Sequence, residues 1–206
     1  MILQALYDYY QRKPDLPRGG FETKEIPFLI ELTSDGRLVQ IEDTREQRGK
    51  RKVARSFLVP QGVKKSVNVA ANLLWGNAEY VLGIVDPKKL AEQRTKHRET
   101  KYVSRLAEMH EAFIAAIHAL PPEAQVDEGV QAVLKFLAGK ECKTVLEREE
   151  FGREIGESNP NITFKLRGDV DLVCQRQTVR KALDEKPSDT KMNVCLVTGD
   201  PDQIVR

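Results

Sequence analysis

The stretch IPFLIELTSDGRLVQI, residues 26–41, decides the fold. Two apolar runs, Ile26 to Leu32 and Leu38 to Ile41, flank Ser34-Asp35-Gly36-Arg37, and the Asp-Gly pair suits a tight reversal, so the segment reads as a β-hairpin. Downstream, Ser56-Phe57-Leu58-Val59 reads as a third short strand closed by Pro60. Upstream, Leu3, Leu6, Tyr7 and Tyr10 recur at helical spacing and predict a short opening helix, ended by Pro14, Pro17 and Gly19-Gly20.

Beyond the third strand, VAANLLWGNAEYVLGIV (residues 69–85) suggests one or two helical turns with a break near Gly76. Asp86-Pro87 is a helix start, with Asp as N-cap and Pro where its missing N–H costs nothing. One long helix is expected from there to Leu120. Tyr102, Leu106, Met109, Phe113, Ile117 and Leu120 give its second half an apolar stripe, whereas Lys88 to Lys101 is nearly all polar. Pro121-Pro122 stops it, Val130 to Leu137 marks another helix before Gly139, and a further helical stretch covers 143–151. After Gly156 and Pro160 come extended runs at Ile162 to Leu166 and Leu172 to Cys174, a helix near Thr178 to Leu183 and a strand from Met192 to Val197.

This order predicts an α+β fold: an N-terminal β-hairpin and small antiparallel sheet with helices (about 1–85), an inserted helical block (86–155) and a C-terminal α/β part (156–206). The ending CLVTGDPDQIVR contains no terminating signal, so the chain is expected to be the N-terminal part of a longer protein.

At 206 residues, 40% hydrophobic and 31% charged, the chain falls in the soluble globular class. No apolar run approaches a membrane span, and the first residues lack the basic region of a signal peptide, so a cytoplasmic protein is expected. Cys142, Cys174 and Cys195 form no CxxC pair, which argues against a disulfide framework or a zinc ribbon. Of the histidines, His97, His110 and His118, only the last two share a helix face, two turns apart and too far for one metal ion. No metal or cofactor is expected.

The net charge of +2 gives no reason to expect nucleic acid, but its distribution does. Between Arg45 and Lys65 lie Arg45, Arg48, Lys50, Arg51, Lys52, Arg55, Lys64 and Lys65 against the single acid Glu46, a local +7 that leaves −5 for the rest. Such a loop is either a solvated surface or a phosphate-binding element. QGVKKSVN (residues 61–68) adds a glycine, two cations and amide or hydroxyl groups; Asn and Gln hydrogen-bond base edges while Lys contacts phosphate, although an ordinary polar turn reads the same way. Asn72 and Asn77 are either capping groups or outward-facing readers. Trp75 is by default a core residue, with base stacking as the minority reading.

Catalytic constellations are missing. Asp169 and Asp171 sit beside a strand with no third ligand nearby in sequence, and no phosphate-cradling glycine motif occurs. The chain is therefore not expected to be an enzyme.

The blocks MILQALYDYY, GFETKEIPFLIEL, GRLVQIEDTR, SFLVPQGVKK, AANLLWGNAEYVLGI, NITFKLRGD, LVCQ and CLVTGD resemble, in order, the large subunit of the type I-C CRISPR Cascade. The most specific is AANLLWGNAEYVLG. The resemblance implies a subunit at the crRNA 5′ end, beside the type I-C endoribonuclease subunit and with the backbone and small subunits of Cascade. It implies recognition of the protospacer-adjacent motif (PAM) on double-stranded target DNA, opening of the duplex for guide pairing, and recruitment of a helicase-nuclease. Such a surface is also a natural target for an anti-CRISPR protein. On this reading Arg45, Arg48, Lys50, Arg51, Lys52 and Arg55 hold phosphates, and Gln61, Lys64, Lys65, Asn68, Asn72 and Asn77 approach the PAM, with Asn72 the first choice for a base contact. The alternatives are a structural subunit that clamps crRNA or a neighbouring subunit without reading DNA, and a nuclease whose site assembles in the fold.

Overall fold

A computed structural model describes residues 2–12, 19–63, 69–148, 150–184, 192–194 and 201–203. After α1 (Ile2–Arg12) and β1 (Phe21–Glu25), the decisive stretch forms β2 (Phe28–Leu32) and β3 (Leu38–Asp43). The pair is antiparallel, with Ile30 opposite Ile41 and Glu31 opposite Gln40. The reversal is one residue wider than a two-residue turn. Thr33 and Arg37 close it (Thr33 N to Arg37 O, 2.9 Å), and Gly36 takes φ 85°. A side chain at Gly36 has no room, since its Cβ would lie 2.7 Å from the Cβ of Lys135.

Every residue of β2 is buried, because the strand lies inside a four-stranded sheet of order β3-β2-β8-β7. Here β7 is Trp75–Asn77 and β8 is Asn161–Leu166. β8 runs parallel to β2 (Ile30 opposite Phe164) and antiparallel to β7. The extended run expected in the C-terminal α/β part therefore lies at the centre of the N-terminal sheet, which is mixed. A strand buried on both faces reads as an apolar run instead of an alternation, and β2 does so except at Glu31, whose carboxylate accepts from the Gln40 amide at 2.6 Å.

Between β7 and β8 come α2 (Ala78–Leu82), α3 (Pro87–Thr95), α4 (Glu99–His118), α5 (Pro122–Gln125), α6 (Glu128–Ala138), α7 (Lys140–Arg148) and α8 (Gly152–Ser158). Asp86 caps α3 as expected, its carboxylate accepting from the N–H of Lys88 at 2.8 Å. The single long helix is broken in two: Lys96 ends α3 and His97 adopts φ 52°, so the chain turns an elbow before α4. No residue of α3 is buried, and without an apolar stripe nothing holds it in line with α4. The stripe of α4 packs as expected: Leu106, Met109, Phe113 and Ile117 are buried, and the rings of Phe113 and Phe136 lie 6.4 and 6.1 Å from that of Phe164.

The opposite face of β8 carries Thr163, whose hydroxyl donates to Leu74 O at 2.8 Å. Leu172 to Cys174, expected extended, instead enters a 3₁₀ turn at Val173–Gln175, followed by α9 (Gln177–Asp184). The third strand, β6 (Ser56–Pro60), does not extend the hairpin but pairs antiparallel with β1, Phe21 opposite Pro60 and Glu25 opposite Ser56. α1 forms where expected, yet Ile2, Leu6 and Tyr9 are exposed along it. Met192–Val194 pairs with Pro201–Gln203; the rest of the expected final strand, and Cys195, lie outside the described residues. No helix among the described residues is long and apolar enough to cross a membrane.

Candidate nucleic-acid interface

The basic segment is a second hairpin and not an open loop. β4 (Glu46–Arg48) and β5 (Arg51–Val53) pair with Arg48 opposite Arg51 and Gln47 opposite Lys52. Only Gly49 and Lys50 lie between them, and Gly49 has φ 63° while Lys50 does not enter the positive-φ region. Glycine at the first central position of a two-residue loop is the mark of a type II′ turn, whose twist matches the flanking strands. The signal for this hairpin, Arg48-Gly49-Lys50-Arg51, was present in the sequence but hidden by charge, because neither strand has an apolar face.

Both ends of the ribbon are held on the dipeptide Ile26-Pro27. The N–H of Thr44 donates to Pro27 O at 2.9 Å, and the N–H of Ile26 donates to Arg55 O at 3.1 Å. Thr44 is buried, its hydroxyl donating to Ile26 O. The tip stands clear, and a Cβ at Gly49 would meet nothing within 4 Å.

Within this frame the six cations grouped by sequence separate into two kinds. Arg45, with a side chain 13% exposed, is committed inward. Its guanidinium donates to Asp43 at 2.8 Å, pairs with Glu154 on α8, and lies 4.5 Å from the ring centroid of Phe28. These bonds hold the carboxyls of Asp43 and Glu154 below their usual range and raise the arginine further above its own. Arg45 is thus a latch between ribbon and helices, not a free phosphate ligand: moving it to a phosphate would strand two carboxylates. Arg48, Lys50, Arg51, Lys52 and Arg55 are exposed. Among the described residues Glu46 is the one acid in ion-pair range of them, 3.9 Å from both Arg48 and Arg55, and no carboxylate pairs with Lys50, Arg51 or Lys52, although Lys52 is near enough to help lower Asp43 and Glu154.

Arg48 and Arg51 stand directly opposite each other, and like charges in that position destabilise a strand pair. An anion between them removes the repulsion. The arrangement is therefore a rigidly rooted, exposed, cationic two-stranded ribbon, a shape the major groove of DNA admits.

The amide loop leaves the other end of β6. Ser56 and Pro60 are separated by four strand rises of about 3.3 Å, so the roots of the two elements lie about 13 Å apart. The N–H of Gln61 donates to Gly20 O at 2.8 Å, and that of Gly62 to Glu22 Oε1 at 2.9 Å. The side chain of Gln61 is exposed. Asn72, half-buried, accepts from the N–H of Val63 through Oδ1 at 3.0 Å, so its carbonyl already spans the loop. Asn77 is the N-cap of α2, accepting from Tyr80 N at 3.2 Å. Trp75 is 4% exposed and donates its indole N–H to Pro60 O at 2.8 Å, which leaves no face for a base. Lys64, Lys65 and Asn68 lie outside the described residues. Sequence reasoning missed Glu22 and Asp43, two acids that work as anchors for the basic elements.

Asp169 is taken up by Arg176 at 2.5 Å, and Arg176 also pairs with Asp127 at 2.7 Å. Among the described residues no three His, Cys, Asp or Glu side chains gather as a metal site. Cys142 and Cys174 are buried and not joined in a disulfide, and burial pushes the thiol of Cys174 up to about 12, away from the reactive thiolate form.

A search of curated proteins returned no match. A family model does match, over residues 6–206, and its description is CRISPR-associated protein (Cas_Csd1). With nearly the whole chain covered, the protein belongs to the CRISPR-associated Csd1 family.

Proposed function

We propose that this chain is a DNA-recognition subunit of a type I-C Cascade, which binds duplex DNA at the PAM and starts the unwinding that lets crRNA pair with its target. The partners on this reading are PAM-containing duplex, crRNA, the other Cascade subunits and the helicase-nuclease that follows them. The observation that carries it is the β4–β5 ribbon: five exposed cations on a hairpin whose both ends are fixed to Ile26-Pro27. A mobile cationic tail would give affinity without register, whereas a fixed ribbon sets where the backbone lies relative to the next element.

That next element is the loop after β6. With roots about 13 Å apart, a ribbon on the phosphates places the loop about four base pairs along, at an axial rise of 3.4 Å. Gln61, whose side chain is exposed, is then the described residue that approaches a base edge; Lys64, Lys65 and Asn68 are assigned to the same role by sequence alone. Asn72 acts by holding the loop through Val63, and Asn77 by capping α2.

The test is a gel shift with the assembled complex on duplexes carrying a correct or an altered PAM. Gln61→Ala should narrow the discrimination between them. Asn72→Ala should do so too, by releasing the loop, and Asn72→Asp, which keeps the acceptor for Val63, should retain most of it. Binding that ignores the PAM in the unaltered complex would instead favour a subunit that clamps crRNA or its neighbours.

A further inference from the structure

A second cationic region lies far from the ribbon in sequence, at the α3–α4 elbow. Residues 94–105 contain Arg94, Lys96, Arg98, Lys101 and Arg105 against the single acid Glu99. Arg94 is paired with Glu99 at 2.7 Å and Lys96 with Glu92. Arg98, Lys101 and Arg105 are exposed, and among the described residues none of them forms an ion pair. Their spacing of three and four residues sets them on one flank of α4 over two turns, about 10 Å.

That flank borders a cleft of about 340 Å³ between α2, α3 and α4, which Arg105 itself lines. Its apolar wall is Leu106, Met109 and the half-buried ring of Tyr102. The cleft's one carboxylate, Glu79, is already satisfied: Oε1 takes Lys89 at 2.9 Å and the Tyr102 hydroxyl at 3.2 Å, and Oε2 takes Asn159 at 2.9 Å. The bond to Glu79 fixes the Tyr102 ring, and burial beside that carboxylate pushes its hydroxyl up to about 12, so it stays protonated.

A cleft lined by the rings of Tyr80 and Tyr102, by Leu106 and the Met109 thioether, with Arg105 on its rim, has the chemistry that receives a base and its phosphate. At about 340 Å³ the cleft matches the size of one nucleoside, which favours an unpaired base. We infer that the groove between α3 and α4 binds single-stranded nucleic acid, with a base against Tyr102, Leu106 and Met109 and the backbone along Arg105, Lys101 and Arg98. This site is separate from the ribbon and does not depend on the PAM reading.

The test uses the full chain and a labelled deoxythymidine oligonucleotide, followed by fluorescence anisotropy over a series of salt concentrations. The combined Arg98→Ala, Lys101→Ala and Arg105→Ala variant should bind about ten-fold more weakly and lose about 2 units of salt slope, three contacts on a single strand. Its binding to PAM duplex in the assembled complex should be unchanged. Tyr102→Leu should weaken strand binding about five-fold or more with the slope intact, because stacking releases no counterions, and Tyr102→Phe, which keeps the ring and loses only its bond to Glu79, should lose much less. Strand binding untouched by the triple variant would overturn the proposal, whatever the duplex result. So would equal losses in Tyr102→Leu and Tyr102→Phe, since Tyr102 would then act only through Glu79. Displacement of the oligonucleotide by thymidine monophosphate at concentrations that match it residue for residue would overturn it in favour of a small-nucleotide site.

Discussion

The protein contains two consecutive hairpins built on opposite principles. In β2–β3 the first strand is buried along its whole length, and its pairing is enforced by Ile30, Phe28 and Leu32 meeting β8 and the helices. In β4–β5 every residue but Val53 is exposed, and Arg48 faces Arg51. The first hairpin exists because its side chains leave water. The second exists because Gly49 makes the turn and the body grips both ends, so its side chains are free to be chosen for a partner. Each hairpin predicts what the other should not do.

The largest effect is expected in the first. Ile30→Ala removes a fully buried side chain opposite Phe164 and should cost about 2–5 kcal/mol in urea unfolding. Lys52→Ala, in the second hairpin, should stay within about 0.5 kcal/mol. If the two cost the same, the ribbon is part of the core and the contrast fails.

Arg45→Ala tests the joint between them. Losing the partly buried pair with Asp43 and the more exposed one with Glu154 should cost about 1–2 kcal/mol. The cost should depend on pH. Both carboxyls titrate lower in the folded chain than their ordinary 3.8 and 4.5, so the stabilisation is complete above those values and disappears as pH falls through the lowered folded ones. Parent and variant should therefore draw together only as pH falls below 3.8 towards those lowered values, as equilibrium unfolding followed by circular dichroism will show. A gap that persists there would assign the cost to stacking on Phe28.

The smallest effect has the opposite sign. Arg51→Glu replaces a facing like-charge pair by an attractive one and should stabilise the isolated chain by about 0.2–1 kcal/mol while weakening DNA binding. A residue whose removal helps folding and harms binding is the mark of a surface selected for its partner; destabilisation would show instead that another group already relieves the repulsion.

The same contrast explains what was legible in the sequence. The first hairpin was, because Phe28 to Leu32 and the Asp35-Gly36 pair are local signals of burial and reversal. The start of α3 at Asp86-Pro87 and the stripe of α4 were legible for the same reason. Pairing across long separations was not. Trp75-Gly76-Asn77 read only as a break between helical turns until paired with Asn161 to Thr163, more than eighty residues away, and β8 read as an extended run without a partner. The elbow at His97 was hidden because the break is made by absent packing rather than by a glycine or proline. At the candidate site, residue type located the cations, but only geometry separated Arg45 from its exposed neighbours: Asp43 is adjacent in sequence, whereas Glu154 and Phe28 are brought to it by the fold.

The central claim is that the ribbon holds DNA phosphates, positioning the duplex without reading it. The direct measurement is the salt dependence of duplex binding by the assembled complex, with and without Lys50→Ala, Arg51→Ala and Lys52→Ala together, on correct and altered PAMs. Three lost contacts should reduce the slope of log K against log salt by about 2.7 on both duplexes while leaving the ratio of their affinities intact. An unchanged slope would contradict the account.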